Sequence, residues 1–394
     1  MVKSDLVLQS ISSYTDSNLE SLLQEGLNQL GGLDSIISPG SRVFLKINHL
    51  SPPSPPEAAI VTHPAITAGV IKELLDIECQ VTVGDDIHGD GIEGFQRSGY
   101  KQMCEDLGVR LVNLKQTGFR KVAIKGDRLD QVYFSRTALD SDFIINLPKL
   151  KTHAFTIFTG SIKNTFGLIP SGYRHVYHKM YSQREEFSRM LVDVFSVQPP
   201  QLTIMDAVQA MEGEGPSGGR PKDVGCILIS RDSVAVDVVA CELIGLSPRR
   251  VDTTRLAAER GFGRGDTDSI SILGSNLKEN RKLDFKQSAI AVGPMERRLP
   301  QLIHGFIQDQ LILTPKVITE SCTACYECFK ICPAKAVQKR EKKAFIEKSL
   351  CIHCMCCHEV CRYHAIRLIS KPGGKIYRSA SQIGRRVKKL FRNN

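Results

Sequence analysis

The chain has 394 residues, 42% apolar and 24% charged, with a net charge of +10. This length and apolar content support a sizeable core in two or three domains, and no run approaches the about 20 apolar residues that a membrane-spanning helix needs, which leaves a globular protein. The basic excess is uneven: residues 371–394 carry +8 and residues 321–370 carry +5, so the first 320 carry −3.

The opening stretch, MVKSDLVLQSISSYTDSN, has neither a charged segment leading an apolar core nor a twin-arginine pair, and the expectation is a cytoplasmic protein. Short β-branched runs at 43–48, 80–84, 109–114, 143–147, 202–205 and 225–230 read as buried strands. Helical patterns lie between several of them. HPAITAGVIKELLDI has Thr62 as its cap and Pro64 in its first turn, and SVAVDVVACELIG is preceded by Asp232. Strand alternating with helix predicts an α/β fold, a mostly parallel sheet with flanking helices. SPPSPP (51–56) and PSGGRP (216–221) read as loops. Residues 255–315 are less legible and lead into a cysteine-rich segment, with a boundary set near 315.

Polar residues follow the predicted strands: Asn48, Asp85, Asp86, Lys149 and Asp206. The carboxyl ends of strands in an open α/β sheet gather at one edge, where such sheets place their ligands, although Asp and Asn there also serve as turn and cap residues. The densest group is LPKLKTHAFTIFTGSIKNTFGLIP, which supplies Lys149, Lys151, His153 and Lys163 and is followed by Arg174, His175 and His178. Lysines and histidines without a local carboxylate suit an anionic small molecule; a solvated basic loop is the alternative. Lys149, Lys151, His153, Lys163, His178 and Asp206 are the candidate catalytic residues. MEGEGPSGGRP (211–221) could bring backbone amides close to a phosphate or carboxylate, but it matches neither glycine-rich nucleotide pattern.

These stretches resemble the domain of unknown function 362, a bacterial and archaeal family often fused to ferredoxin modules. The resemblance covers roughly residues 40–290 and rests on THP (62–64), VGDD (83–86), LPKLKTH (147–153), GSIKNTFGLIP (160–170), AMEGEGPSGG (210–219) and RDSVAVD (231–237), with Ser233 where the family commonly has proline. The family implies a domain and no established reaction.

Nine of thirteen cysteines crowd into residues 322–361, a distribution that indicates metal and not disulfides. Cys79, Cys104, Cys226 and Cys241 lie in apolar surroundings and read as ordinary buried residues. Eight of the nine fall in two copies of Cys-x2-Cys-x2-Cys-x3-Cys: Cys322, Cys325, Cys328, Cys332 and Cys351, Cys354, Cys357, Cys361. Three closely spaced thiolates wrap three corners of a cubane, and the fourth reaches across to the other cluster. Two 4Fe-4S clusters are therefore expected, one on Cys322, Cys325, Cys328 and Cys361, the other on Cys351, Cys354, Cys357 and Cys332. Cys356 falls outside this register and reads as a packed or surface thiol; His353, His358 and His364 read as surface or outer groups. Zinc sites would leave the three-cysteine runs unexplained.

The segment resembles the bacterial two-cluster ferredoxins, which implies a small carboxyl-terminal α+β iron–sulfur domain over 316–370. The proline that usually follows the fourth cysteine is present as Pro333 and replaced by Arg362 in the second half. Lys330, Lys335, Lys339, Lys342 and Lys343 favour the more negative reduced state and present a surface to an acidic redox partner. In the tail, 371–394, Ile383, Val387, Leu390 and Phe391 share a helical face opposite basic residues, which suits weak contact with a membrane surface or an acidic partner, or a solvated tail; no nucleic-acid motif accompanies it.

The leading expectation is an electron-transfer protein whose clusters pass single electrons to or from a substrate or partner held by the large domain, residues 1–315. The alternatives are an iron–sulfur reductase of an anionic small molecule and a noncatalytic redox adaptor.

Overall fold

The computed structural model describes residues 3–50, 53–87, 92–292, 310 and 312–373. Most of the basic tail, from 374 onward, lies outside them. Its strands are, in chain order, β1 (Ser4–Ser10), β2 (Arg42–Ile47), β3 (Gln80–Asp85), β4 (Arg110–Asn113), β5 (Phe119–Ala123), β6 (Gln131–Ser135), β7 (Phe143–Leu147), β8 (Lys149–His153), β9 (Ile157–Thr159), β10 (Leu202–Glu212), β11 (Arg220–Ser230), β12 (Ile270–Gly274), β13 (Leu313–Val317), β14 (Val337–Arg340), β15 (Lys343–Ile346) and β16 (Ile366–Ser370).

The main sheet runs β12-β1-β11-β10-β7-β2-β3-β4, with β8 attached to β10 and β9 to β8. β10, β7, β2, β3 and β4 are successive parallel neighbours, and β12 is parallel to β1. Along this path only β11 reverses, antiparallel to both β10 and β1. The mostly parallel α/β sheet is thus observed.

Period-two alternation splits the strand residues between two cores. Val7, Ile227, Ile229, Val43, Leu45 and Val83 face the helices Leu19–Gln29 and Pro64–Asp76, while Leu6, Leu8, Cys226 and Leu228 face the helix Ser233–Leu243. That last helix is buried at every position but Glu242, so it reads as apolar on all sides. Its cap is Asp232, which accepts hydrogen bonds from the amides of Val234 and Ala235 at 2.9 Å. The cap of Pro64–Asp76 is His63 and not Thr62: His63 Nδ1 accepts from Ala65 N at 3.2 Å. Thr62 has another task, because its hydroxyl donates to Leu147 O at 2.6 Å and accepts from Asn48 N at 3.0 Å, joining β7 to the end of β2.

Asp237, from RDSVAVD, explains why GSIKN folds back under the sheet. Its buried carboxylate accepts from Ser161 N at 2.6 Å and Ile162 N at 3.3 Å. Burial pushes this carboxyl up to about 7 against the pull of those two amides.

In residues 313–370, β13 pairs antiparallel with β16, and β14 pairs with β15 through Glu341 and Lys342, both at positive φ as a two-residue hairpin turn requires. The two cysteine loops share one backbone path at an offset of 29. Ala324, Tyr326 and Lys335 have positive φ, and so do His353, Met355 and His364. Each loop enters a short helix, Glu327–Ile331 or Cys356–Glu359. Ala336 N donates to Cys332 Sγ at 3.2 Å, and Ala365 N to Cys361 Sγ at 3.3 Å.

A Cβ at Gly160 would lie 2.2 Å from both Asp237 Oδ1 and Phe158 Cε1. Gly160→Ala is therefore expected to lower the urea unfolding midpoint by the equivalent of about 1–3 kcal/mol, and an unchanged midpoint would mean that the GSIKN turn does not depend on this contact.

Candidate functional site

At the carboxyl ends of β2 and β3, Lys46 is fully buried. Its ammonium donates to Ile47 O at 2.6 Å and lies 2.8 Å from Asp85 Oδ2. The same carboxylate oxygen accepts from His49 N at 2.8 Å, and Asp86 N donates to Asp85 Oδ1 at 2.8 Å. Gly167 packs directly onto this pair; a Cβ there would come within 2.4 Å of Asp85 Oδ1. Asp86 pairs with Arg174 at 2.6 Å. The VGDD residues therefore hold the edge of the sheet together.

Lys149 and Asp206 form a second closed pair at 2.8 Å, both at zero exposure. Lys149 also donates to the Tyr14 hydroxyl at 2.6 Å, Tyr14 donates to Asp206 Oδ1 at 2.8 Å, and His63 N donates to Asp206 Oδ2 at 2.8 Å. The Tyr14 ring stacks on His63 with centroids 3.7 Å apart. β10 continues past the predicted LTIM to Glu212, so Asp206 sits within a strand. Two of the sequence candidates are thus engaged with each other and sealed, because the carboxylate that LPKLKTH lacks locally arrives from β10.

The other four candidates gather elsewhere. Lys151 is fully buried and donates to Ile60 O at 2.7 Å; burial, then the ammonium groups of Lys163 and Lys149, pull its pKa well down. His153 Nδ1 accepts from Phe155 N at 3.0 Å and Thr156 N at 3.3 Å, so its proton resides on Nε2. That Nε2 faces Glu359 Oε1 at 3.4 Å. His178 stacks on Phe187 at 4.3 Å, its Nδ1 has no hydrogen-bond partner, and burial with Lys163 nearby pulls its pKa down to about 3. Lys163 lies among these groups, near Glu359 and Cys356, and its ammonium makes no hydrogen bond or ion pair with the described residues; burial pulls its pKa down while Glu359 opposes. The result is a basic group with one carboxylate, and that carboxylate comes from the cysteine-rich segment.

The glycine-rich loop 211–221 joins the two parts. Its glycines permit close approach to protein: a Cβ at Gly215 would lie 2.2 Å from Thr152 O, and one at Gly218 would lie 2.5 Å from His358 Nε2. Ser217 donates to Glu359 O at 2.7 Å, and His358 sits with Nε2 3.2 Å from Glu214 O and Nδ1 2.7 Å from Ile366 O. His358 is therefore a buried seam residue and not a surface group. Met355 enters the core made by Phe155, Phe166 and Phe187. A cavity of about 170 Å³ opens at this seam, lined by Leu50, Pro53, Ile60, Arg97, Glu359, Cys361 and Arg362 among others.

Cys332, Cys351, Cys354 and Cys357 line one narrow enclosed space. Burial pushes the Cys328 thiol up to about 11, and Cys361, Cys325 and Cys322 stand around it and add to the effect. Among the described residues no three His, Cys, Asp or Glu side chains converge closely enough to hold a single metal ion. Cys356 is packed inside, 4% exposed. Sequence reasoning missed Lys46, Tyr14, Glu359 and Arg97. Tyr14 and Arg97 carry no local motif, whereas Glu359, an acid between two repeat cysteines, was visible.

The fold and site define an α/β protein with charge-paired strand ends and a basic group that meets Glu359 of a cysteine-rich segment. The family described as Domain of unknown function (DUF362) matches residues 43–242, and the chain belongs to it. It is similar to the "Thylakoid-associated protein sll1697" of Synechocystis sp. (strain ATCC 27184 / PCC 6803 / Kazusa), 32% identical over 269 residues, which covers 68% of this chain and 82% of that relative. Among solved structures, the lactate racemase apoprotein from Thermoanaerobacterium thermosaccharolyticum aligns with a TM-score of 0.42 and 10% identity, over 62% of this chain and 57% of that one. A Thermotoga maritima protein aligns with a TM-score of 0.36 and 15% identity, over 61% and 59%. No described helix is long and apolar enough to cross a membrane.

Lys149→Ala would strand Asp206 as a buried charge, so it is expected to cost about 3–5 kcal/mol of stability. Replacing both residues by apolar ones, Lys149→Met with Asp206→Leu, should recover much of that loss in urea unfolding; a stable single variant would contradict the closed-pair description.

Proposed function

We propose that this chain is an iron–sulfur electron-transfer protein: two 4Fe-4S clusters exchange single electrons with a substrate or partner held by the large domain. One cluster would sit on Cys322, Cys325, Cys328 and Cys361, the other on Cys351, Cys354, Cys357 and Cys332. The observation that carries this reading is the crosswise gathering of thiols, Cys361 beside the first loop and Cys332 beside the second. The donor set fits: cubane thiolates stand at separate corners, so they need not converge on one ion. The clusters supply reversible one-electron chemistry, and the protein's own residues do the rest.

In this reading residues 1–315 form the large domain, 316–370 the ferredoxin-type domain and 371–394 the tail. His153 and Lys163 lie beside Glu359 of the second loop, where a neutral imidazole N–H and an ammonium can donate to an anion, while Lys151 fixes the Ile60 strap. On the outer face, Lys339 lies over the rings of Tyr326 and Phe329 at 4.7 and 5.0 Å, and Arg340 over Phe345 at 3.9 Å. Such exposed cation and aromatic groups suit docking by an acidic redox protein. We place the protein in the cytoplasm; the name of the Synechocystis relative and the +8 of residues 371–394 together favour contact with an anionic membrane surface.

A second reading, a reductase of an anionic small molecule, is favoured by the unpaired Lys163 ammonium. Lys163→Gln separates the two: a carrier keeps its cluster absorbance and its oxidation of reduced methyl viologen, whereas a reductase also keeps both but stops consuming the anion that copurifies with it.

Anaerobic protein should contain about eight iron and eight sulfide atoms per chain. Fewer than about four irons would overturn the two-cluster reading, and Cys361→Ser should reduce the iron content by up to half while β14 and β15 remain folded.

A further inference from the structure

Arg362 stands where the first repeat has Pro333, and the two positions share their local backbone path. Lys335 and His364 both have positive φ, and Ala336 and Ala365 both donate to the preceding fourth cysteine. The backbone therefore does not demand arginine. The guanidinium lines the seam cavity, which Arg97 lines from the other wall.

Neither Arg97 nor Arg362, both exposed, makes an ion pair or hydrogen bond with the described residues; Arg110 and Arg231 make none either, so what sets Arg97 and Arg362 apart is that they line one cavity. Guanidinium groups keep their charge and present planar forks that match carboxylate geometry. Two of them on one cavity of about 170 Å³ make a local positive field, with Glu359 as the one acid in the lining. The carboxylate on the wall, Glu359, is drawn inward, with Oε1 at 3.4 Å from His153 Nε2. One wall, at Leu50, Pro53, Pro55, Ala58 and Ile60, is apolar, and Ser54, Ser217 and His364 complete the lining. One water needs about 10–15 Å³ of such space, so the cavity has room for a small molecule of several non-hydrogen atoms.

We infer that the seam cavity binds a small carboxylate with a short apolar body, its oxygens held between Arg97 and Arg362 and its carbon chain against the proline-rich strap. Inorganic phosphate shares the oxyanion but not the apolar body, so it would leave the wall at Leu50, Pro53, Pro55, Ala58 and Ile60 uncovered and forgo that burial. The inference goes beyond the electron-transfer reading and holds whether or not electrons follow.

The test is titration calorimetry on the full-length, iron-loaded chain at constant ionic strength, with sodium propionate and inorganic phosphate as probes. Saturable propionate binding near one per chain, tighter than phosphate, is expected. Arg97→Gln and Arg362→Pro should each weaken it about tenfold or more, with circular dichroism and iron content unchanged, while Arg249→Gln on a distant surface leaves it unchanged. If Arg362→Pro loses iron, Arg362→Gln gives the same readout. Saturation by neither probe, binding that survives both arginine changes, or phosphate binding more tightly than propionate would overturn the inference. A chain that lacks iron yet still binds propionate would sink the electron-transfer reading alone.

Discussion

The buried lysine–aspartate pairs at the strand ends constrain everything around them. An ammonium and a carboxylate removed from water are tolerable only when nearly all their hydrogen-bonding capacity is met. Lys46 with Asp85, and Lys149 with Asp206, meet it by drawing in backbone amides, a carbonyl and the Tyr14 hydroxyl. Each pair thereby fixes the path of the chain beyond a strand: Asp85 holds His49 after β2, and Asp206 holds His63 at the start of its helix. The edge that binds ligands in many open α/β sheets is here stapled by charge, and beside it Lys163 is left with no hydrogen bond or ion pair to the described residues.

That difference sorts the sequence candidates. Lys149 and Asp206 looked reactive because they are polar and follow strands, but reactivity needs an unmet valence and both are saturated. His153 and His178 each keep one ring nitrogen without a hydrogen-bond partner, and Lys163 keeps its whole ammonium. The groups that can still act are those turned toward the cysteine-rich segment. Glu359 enters the same space from the opposite side, which ties any chemistry there to the seam between the two parts of the chain.

The strands and the parallel character of the sheet were legible because buried parallel strands are β-branched runs, and VFLKI, QVTVG and FIINL are such runs. β1 and β12 were not read, since SDLVLQS mixes polar and apolar residues at its ends and gains its burial from β11 and β12 beside it. The helix cap was misassigned by one residue because Thr62 and His63 can both accept an amide, and only tertiary structure shows that the threonine hydroxyl is held by Leu147 O. The site was half legible. Residue types named the basic group, but which lysine was neutralised depended on Asp206, 57 positions away from Lys149. Glycines 215 and 218 announced a close approach without saying to what.

The duplicated cysteine unit shows how one backbone has been adapted to two environments. Equivalent positions carry Tyr326 and Met355, Phe329 and His358, Lys330 and Glu359, Pro333 and Arg362. In the first copy, Tyr326, Phe329 and Lys330 meet solvent or a neighbour on their own surface, as Phe329 does with Lys339, while Pro333 lines the space among Cys332, Cys351, Cys354 and Cys357. In the second, Met355 enters the aromatic core, His358 reaches Glu214 O, Glu359 meets His153 and Arg362 lines the cavity. The cysteines, the left-handed backbone positions and the amide-to-sulfur bonds are the same in both halves, so selection on the loops themselves cannot account for the divergence. It follows the seam. Three changes, at Met355, His358 and Glu359, from a solvent-facing to a large-domain-facing chemistry are what a module shows when one of its two faces is given over to a permanent neighbour, and the face left outside keeps the exposed aromatic and basic groups on which a passing partner can dock.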